Sequence, residues 1–161
     1  MIRPLTRADD AAVLALLQAS ADYIRLERDE APSDALVEEF FTDAPPGLSA
    51  DDGYRAGLFD GEVLLALAEM SFSYPQPGDS YLGLMMVRAT ARGQGAGGRM
   101  LRHLEGVART RGAAQMVLAV LDANPRGRAF WHREGFRDTG FAGEVTLGCK
   151  TQAVQRLVKT L

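Results

Sequence analysis

The first part of the chain places its apolar residues at helical spacing after one short extended run. Residues 1–5 predict a strand, and the acidic pair Asp9-Asp10 marks a helix start, because carboxylates are favoured at the positive end of the helix dipole. Pro32 and Ser33 mark a further start, with Ser33 as a suitable N-cap. The apolar positions of that second helix recur three and four residues apart: Leu36, Val37, Phe40 and Phe41.

The chain then changes from helical patterns to strand-like runs. Two strand-like runs, 54–59 and 63–72, flank Asp60-Gly61, a pair typical of tight hairpin turns. Two later runs, from Phe136 onward and over 153–158, predict the last strands.

A strand–helix–strand unit lies between these extended segments. Tyr81–Val87 and Gln115–Leu121 are apolar runs, and the segment between them, to about Arg111, has its apolar residues on one side of a helix. Strands joined in this way form a right-handed parallel crossover. Asn124-Pro125 then supplies an N-cap and a first-turn proline for a short helix.

Composition narrows the class of protein. The 161 residues fit a single domain over 1–161, and a net charge of −3 argues against general nucleic-acid binding. The lone Cys149 cannot form an intrachain disulfide, and it and the two histidines show no metal-ligand spacing. We find no signal-peptide segment and no apolar run long enough for a bilayer, so we expect a cytoplasmic protein with no membrane partner and no metal.

The most informative segment is Arg92-Gly93-Gln94-Gly95-Ala96-Gly97, which follows an apolar strand and opens a helix. Glycines at a helix start let the backbone approach a ligand closely. The free N–H groups and the positive end of the helix dipole then face an anion. The segment therefore predicts a pyrophosphate site.

Two kinds of pyrophosphate ligand are compatible with these glycines. Gly93, Gly95 and Gly98 also satisfy the G-x-G-x-x-G pattern of dinucleotide-binding folds, with Asp122 at the end of the next strand. In that pattern the first glycine directly follows the strand, whereas residues 88–92 intervene here. Asp122 also falls later than the usual spacing of roughly 20 residues, and the chain lacks further strand–helix units.

The order of motifs resembles the GNAT superfamily, the Gcn5-related N-acetyltransferases. Arg92–Gly97 supplies the glycine motif, Asn124 follows the next strand, and residues 129–136 (Ala-Phe-Trp-His-Arg-Glu-Gly-Phe) supply the last motif. The resemblance covers nearly the whole chain and is strongest over 81–136. It implies an α/β GNAT fold, a mixed and twisted sheet of about six or seven strands with helices on both faces. It also implies acetyl transfer from acetyl-CoA to a primary amine by direct attack in a ternary complex.

The resemblance also assigns a cofactor site between the two parallel strands. The pantetheine arm pairs with the first strand, the pyrophosphate meets the glycine segment, and Asn124 contacts the pantetheine arm or only caps its helix. The residues implied to bind acetyl-CoA are Met85, Met86, Val87, Arg92, Gly93, Gln94, Gly95, Ala96, Gly97, Gly98, Asn124 and Trp131.

Three residues are implied in catalysis. The backbone N–H of Met86 is the expected donor to the thioester carbonyl, and of Met85 and Met86 one is expected to face the core and the other the cleft. Trp131 stands where many members have a Tyr that protonates the leaving thiolate, and an indole N–H cannot act as that acid. Glu69, on the preceding strand, is the candidate general base, and the alternative for this residue is an outward-facing position on the sheet. Two further alternatives stay open: a water chain acts as the base, or no base is needed because the amine binds in its neutral form.

The acceptor is the least defined partner. Asp22, Tyr23 and Glu27, near the first inter-helix turn, match positions that line the acceptor pocket in the family, and acidic residues suit a cationic amine. The acceptor is a small molecule or a peptide, and a homodimer is possible. Two other functions stay open: a non-catalytic acyl-CoA-binding or regulatory module on the same fold, and a nucleotide-binding oxidoreductase domain.

Overall fold

One mixed sheet organises the molecule, and a computed structural model describes it over residues 1–161. The strands are β1 Ile2–Pro4, β2 Tyr54–Asp60, β3 Val63–Phe72, β4 Asp79–Val87, β5 Gln115–Leu121, β6 Arg137–Leu147 and β7 Lys150–Thr160. The helices are α1 Asp10–Ala19, α2 Ala21–Arg28, α3 Asp34–Thr42, α4 Ala96–Thr110 and α5 Pro125–Arg133. The sheet order is β1-β2-β3-β4-β5-β7-β6, and only β4 and β5 pair in parallel.

The two faces of the sheet carry separate hydrophobic cores. On one face α4 packs its apolar side against β2, β3 and β5, through Ala96, Met100, Leu101, Leu104 and Ala108. On the other face α1, α2 and α3 pack around Leu64 and Leu67 of β3. Helices therefore cover both faces, as the resemblance implies, and the single parallel pair is not the doubly wound sheet of a dinucleotide-binding domain.

The strands and the crossover follow the sequence prediction closely. The predicted strand 115–121 is observed with the same bounds, and β2 and β3 form the predicted hairpin, with Gly61 at φ +57° in its turn. The last two strands are longer than predicted, because β6 and β7 pair with each other along almost their whole length.

The prediction of the N-terminal helices was incomplete. Two helices were expected before Pro45, and the structure has three, because α2 follows α1 after Ser20 alone. Segment 21–28 has few apolar residues, so its pattern gives a weak helical signal. Asp22, Tyr23 and Glu27 therefore lie in a helix and not at an inter-helix turn.

None of the helices combines the length and the apolar character that crossing a membrane requires.

Candidate active site

A cleft opens where β4 and β5 separate. The two strands pair only over Asp79–Tyr81 and Gln115–Val117, and beyond those residues no bridge joins them. The gap forms part of a cleft of about 1300 Å³ that reaches from the start of α4 to α2 and α3. Backbone groups of β4 that would pair with β5 in a regular sheet face this cleft instead.

The register of β4 decides which of its N–H groups face the gap. The Arg88 N–H donates to Leu65 O at 2.8 Å, and bonded pairs alternate along an antiparallel ladder. The Met86 N–H therefore points to β3 and the Met85 N–H points to the gap. Val87 supports this alternation, since its carbonyl points away from β3 and accepts from Ser20 Oγ at 3.4 Å.

A bulge lies in β4 beside the gap. Glu69 pairs with Leu84 and Met70 pairs with Leu82, so Gly83 is an extra residue on β4. A Cβ at Gly83 would overlap the Glu69 carboxylate. The bulge and the missing side chain together leave room for that carboxylate at the edge of the cleft.

Residues 93–98 form a cradle of free N–H groups. None of these six N–H groups donates a hydrogen bond within the protein, and the first bonded one, Arg99 N–H, donates to Gly95 O at 3.0 Å. Gly93 and Gly95 have φ of +75° and +83°, and the space beside both is open. This region is the N-terminus of the 15-residue helix α4, so N–H groups and helix dipole both favour an anion.

Arginines surround this cradle, and they come from separate elements. Arg92 precedes it, Arg102 follows it on α4, and Arg126 and Arg133 reach the cleft from α5. Arg99 is exposed and does not line the cleft, and Gln94 folds back to donate to Thr90 O at 2.9 Å. One carboxylate also lines this end, Glu134, whose Oε1 would lie 3.5 Å from a Cβ on Gly98. The cradle end of the cleft therefore has free N–H donors and more arginines than carboxylates.

Arg92 links the cradle to α2. Its Nε donates to Val87 O at 3.1 Å, and its terminal nitrogens donate to the Asp22 carboxylate at 2.6 and 3.2 Å. The Arg92 hydrogen bond holds the pKa of Asp22 below its usual value. Two residues that sequence reasoning placed in different subsites are thus in direct contact.

The opposite part of the cleft is rich in carboxylates. Those that line it on this side come from α2, α3, the segment after α3, and β3: Glu27, Glu39, Asp43 and Glu69. Asp22 lies between the two parts, because it is bonded to Arg92 beside the cradle. The only arginine on this side is Arg28, and both of its terminal nitrogens are bonded to Glu39, at 2.8 and 2.9 Å.

Glu69 is a buried carboxylate at the floor of this acidic part. Only 8% of the residue is exposed, and Ser71 Oγ donates to its Oε1 at 3.1 Å. Burial raises the pKa of Glu69, and the charge of Arg55 opposes that rise. Glu69 does not face outward, so the alternative of a solvent-facing sheet residue is wrong.

Glu27 is a second carboxylate that is mostly enclosed. Its side chain is 13% exposed, and the nearest cation, Arg28, lies 3.8 Å away. Burial raises the pKa of Glu27, and burial with the adjacent Glu27 carboxylate raises the pKa of the Tyr23 hydroxyl. Both groups are held in their neutral form more strongly than in water.

Next to the β6–β7 turn, the first residues of β7 contact the end of α2. Lys150 Nζ donates to Leu26 O at 3.1 Å, and Gln152 Nε2 donates to Leu26 O and Glu27 O at 2.9 Å. These contacts satisfy carbonyls that the last turn of a helix leaves unpaired. They fix the part of α2 that carries Glu27.

Trp131 and Asn124 line the cleft near the cradle. Trp131 is half-buried between Phe130 and Phe136, and its ring centroid lies 4.9 Å from that of Phe130 and 5.3 Å from that of Phe136. Asn124 caps α5, because its Oδ1 accepts from the Gly127 N–H at 2.9 Å. Phe130 packs against Gly97, where an added Cβ would lie 3.2 Å from the ring.

Comparison with known proteins identifies this arrangement. A sequence model of the Acetyltransferase (GNAT) family matches residues 15–136, which is more than half of the chain. The chain belongs to the GNAT acetyltransferase family. Its fold is that of solved GNAT enzymes, and the family's activity is acyl transfer with acetyl-CoA as co-substrate.

Individual relatives support the same assignment. The chain is 29% identical over 143 residues to a thialysine N-epsilon-acetyltransferase of Bos taurus, covering 86% of this chain and 84% of that protein. An acetyltransferase structure from Thermus thermophilus matches with a TM-score of 0.77 at 24% identity, over 100% of this chain and 96% of that chain. A ribosomal-protein-alanine N-acetyltransferase from Brucella melitensis matches with a TM-score of 0.75 at 19% identity, over 100% and 99% of the two chains. At these identities the two structures show the fold alone.

The cradle fits the pyrophosphate of the family's co-substrate. Six adjacent N–H groups without a protein acceptor and two glycines with positive φ are what a tightly held anion needs. Of the predicted binding residues, those that line the cleft are Met85, Met86, Val87, Arg92, Gly93, Gly95, Ala96, Gly97, Gly98, Asn124 and Trp131. Gln94 can contribute only its backbone N–H, since its side chain is turned away.

One predicted role changes with the register of β4. The Met86 N–H was the expected donor to the thioester carbonyl, but the alternation of the ladder directs that N–H to β3. Of these two residues it is Met85 that directs its N–H into the gap. The side chains of Met85 and Met86 alternate between the two faces of the sheet, as predicted. The expected division into one core-facing and one cleft-facing side chain is not observed, because each packs against a core and both residues line the cleft.

Sequence reasoning missed residues that only the tertiary contacts reveal. Gly83 lies in an apolar strand, and the bulge that makes room for Glu69 at the cleft was not predicted. Ser71 was not considered, and Phe130 was named only as part of the motif over 129–136, without a role of its own. A glycine within a strand is a known sign of a bulge, and this signal alone could have indicated Gly83.

Proposed function

We propose that this protein transfers the acetyl group of acetyl-CoA to a primary amine by direct attack in a ternary complex. The observation that carries the proposal is the separation of charge within one cleft. N–H groups and arginines lie at one part of the cleft, and buried carboxylates lie at the other. An anionic co-substrate and a cationic acceptor are thereby favoured in adjoining places.

The chain's own residues have distinct tasks in this proposal. Acetyl-CoA supplies the activated thioester. The N–H groups of 93–98 hold the pyrophosphate, and the Met85 N–H donates to the thioester carbonyl. Glu69 takes the proton from the ammonium group, since burial raises the pKa of Glu69 towards a value suited to a base. Holding both reactants in line supplies much of the rate.

The leaving thiolate needs no general acid in this proposal. Trp131 packs between two phenylalanine rings and offers only an indole N–H, a hydrogen-bond donor. A thiol with a pKa of about 8.5 gives a thiolate stable enough to leave without full proton transfer. Trp131 shapes the cleft wall beside Phe130.

Direct attack is favoured over an acyl-enzyme. Cys149 lies in the β6–β7 turn, where its Sγ contacts Arg28 O at 3.7 Å, and it does not line the cleft. The bovine relative is named for an amine acceptor, the ε-nitrogen of thialysine, which agrees with a primary amine here.

The experiment is turnover of acetyl-CoA with a panel of primary amines, followed through release of the free thiol. The panel includes diamines, amino acids, a peptide N-terminus and a peptide lysine. We expect at least one amine to be acetylated, with initial-rate lines that intersect when both substrates are varied. Parallel lines would contradict direct attack. Tight binding of acetyl-CoA with no turnover of any amine would favour a non-catalytic module.

A further inference from the structure

Arg55 is a buried arginine that lies beside the acidic part of the cleft without lining it. It is on β2, and only 9% of the residue is exposed. Its Cα partner on β3 is Glu69, and residues directly opposite in an antiparallel pair share a face of the sheet. Neither the family motifs nor the cleft lining identifies this residue.

The guanidinium group of Arg55 holds the segment that follows α3. Its Nε donates to Phe40 O at 2.6 Å, and its terminal nitrogens donate to Asp43 O and Ala50 O, each at 2.8 Å. Residues 43–46 of that segment line the cleft. One planar cation thus fixes the path of a chain segment that forms part of the acceptor wall.

The same cation is the charge that faces Glu69. The guanidinium is bonded to carbonyl oxygens and not to the carboxylate, so its charge acts on Glu69 without blocking it. The other groups around Glu69 are Ser71 on β3, Asp43 after α3, and Tyr81 on β4, which itself faces Arg156 of β7. Among the neighbours that act on Glu69, Arg55 is the cation.

We propose that Arg55 is a positioning residue of the acceptor site, which both fixes segment 43–50 and keeps Glu69 able to ionise inside the cleft. The proposal rests on the proposed function through Glu69. Arg55 touches no substrate. It acts through the carbonyls that it binds and through the carboxylate beside it.

Two variants separate the two effects. Arg55→Met removes the charge and the donors, while Arg55→Lys keeps the charge but cannot donate to three carbonyls arranged around a planar fork. With Arg55→Met we expect the acid limb of the kcat/KM profile to move up by about one pH unit, because an opposite charge favours ionisation of a carboxyl group. With Arg55→Lys the acid limb stays as in the wild type.

The Michaelis constants report the effect of Arg55 on segment 43–50. Both variants are expected to raise KM for the amine by about fivefold to tenfold, since each loses hydrogen bonds of about 1 kcal/mol that hold the acceptor wall. KM for acetyl-CoA stays unchanged in both. The matched control is Arg3→Met on β1. Arg3 donates to the Asp9 carboxylate at 2.6 and 3.0 Å, and neither residue lines the cleft.

A titration independent of turnover completes the test. The ¹³C carboxyl signal of Glu69, assigned with Glu69→Gln, should titrate at higher pH in Arg55→Met than in the wild type. If the wild type acetylates no amine, the proposed function fails, and this titration still decides whether Arg55 governs the ionisation of Glu69. Should Arg55→Met not fold, Arg55→Gln serves as the neutral variant. A lowered melting temperature with unchanged titration, acid limb and amine KM would overturn the proposal.

Discussion

Glu69, the proposed base, lowers the stability of the folded chain when it is ionised. It is buried, and the ionised form is penalised by burial, so the pKa of Glu69 is higher in the folded chain than in the unfolded chain. The folded state therefore binds a proton more readily. Above the raised pKa the ionised carboxylate lowers the stability, and this loss disappears as the pH falls through that pKa towards 4.5, its ordinary value.

Glu69→Gln should therefore lower activity and raise stability. We expect kcat to fall by about 10²-fold or more, because a general base is lost. The melting temperature should rise at neutral pH, and the gain should shrink as the pH falls towards the ordinary pKa of the carboxyl group. Thermal unfolding over a pH series, beside steady-state kinetics, checks both parts. A kcat equal to that of the wild type would remove Glu69 from the mechanism.

Gly83→Ala tests the same carboxylate from the neighbouring strand. A Cβ at this position would overlap Glu69 Oε2, so the carboxylate must swing away. We expect kcat to fall by about tenfold or more, since a small misplacement of a catalytic group is costly. Calorimetric titration should show that the variant still binds acetyl-CoA, and circular dichroism should show an unchanged fold. Full activity in a folded variant would mean that the carboxylate position is not critical.

At the scale of elements, α4 combines two tasks in one segment. Its first turn carries the cradle, and its apolar side packs against the sheet. The glycine residues matter at the first turn because of positive φ and open space, as at Gly95. Gly106, in the middle of the same helix, has open space and no positive φ, so no such requirement applies there.

Gly95→Asp should abolish useful binding of acetyl-CoA. The added carboxylate lies among the N–H groups that face the pyrophosphate, and like charges in contact cost several kcal/mol. We expect calorimetric titration to show an affinity lowered by about 10²-fold or more. An unchanged affinity in a folded variant would contradict the assignment of the cradle.

Gly106→Ala is the matched control on the same helix. We expect an unchanged affinity for acetyl-CoA and a stability increase of roughly 0.5–1 kcal/mol, because alanine loses less backbone entropy in a helix than glycine does. Denaturant unfolding measures the gain. A decrease in stability would mean that the surface of α4 at this point is not free.

At the scale of the whole molecule, distant parts of the chain build the acceptor side of the cleft. The first residues of β7 hold the end of α2 through Lys150 and Gln152, more than a hundred residues away in sequence. Arg92 holds Asp22 near the start of the same helix. These contacts add to the burial of Ile24 in holding α2, and with it Glu27, in position.

Gln152→Ala should loosen the acceptor side without affecting the cradle. Its Nε2 donates to two carbonyls of α2, and the variant leaves Glu27 O without this donor while Leu26 O keeps Lys150 Nζ. Loss of such a hydrogen bond costs about 1 kcal/mol. We expect KM for the amine to rise by about fivefold, with an unchanged Kd for acetyl-CoA. Thr151→Ala is the control, because the Thr151 hydroxyl bonds the Thr146 hydroxyl across the hairpin at 2.8 Å and makes no hydrogen bond to α2. Equal effects of the two variants would contradict this role of Gln152.

Local sequence determined the elements that depend only on interactions between residues close together in the chain. The hairpin at Asp60-Gly61, the strand Gln115–Leu121 and the cap at Asn124 follow from turn chemistry and periodicity over a few residues. The glycine cradle belongs to this group as well, because positive φ and a helix start are properties of consecutive residues.

Tertiary structure decided the features that depend on contacts between distant residues. Helix α2 over 21–28 is held by contacts with distant residues, which include Gln152, and its sparse apolar pattern gave no clear sign of it. The Glu69 carboxylate has room at the cleft because a bulge without a side chain, Gly83, lies beside it on the neighbouring strand. Sequence alone thus specified the co-substrate end of the cleft, where backbone conformation is sufficient. The acceptor end needed the fold, because there the chemistry depends on which side chains distant segments bring together.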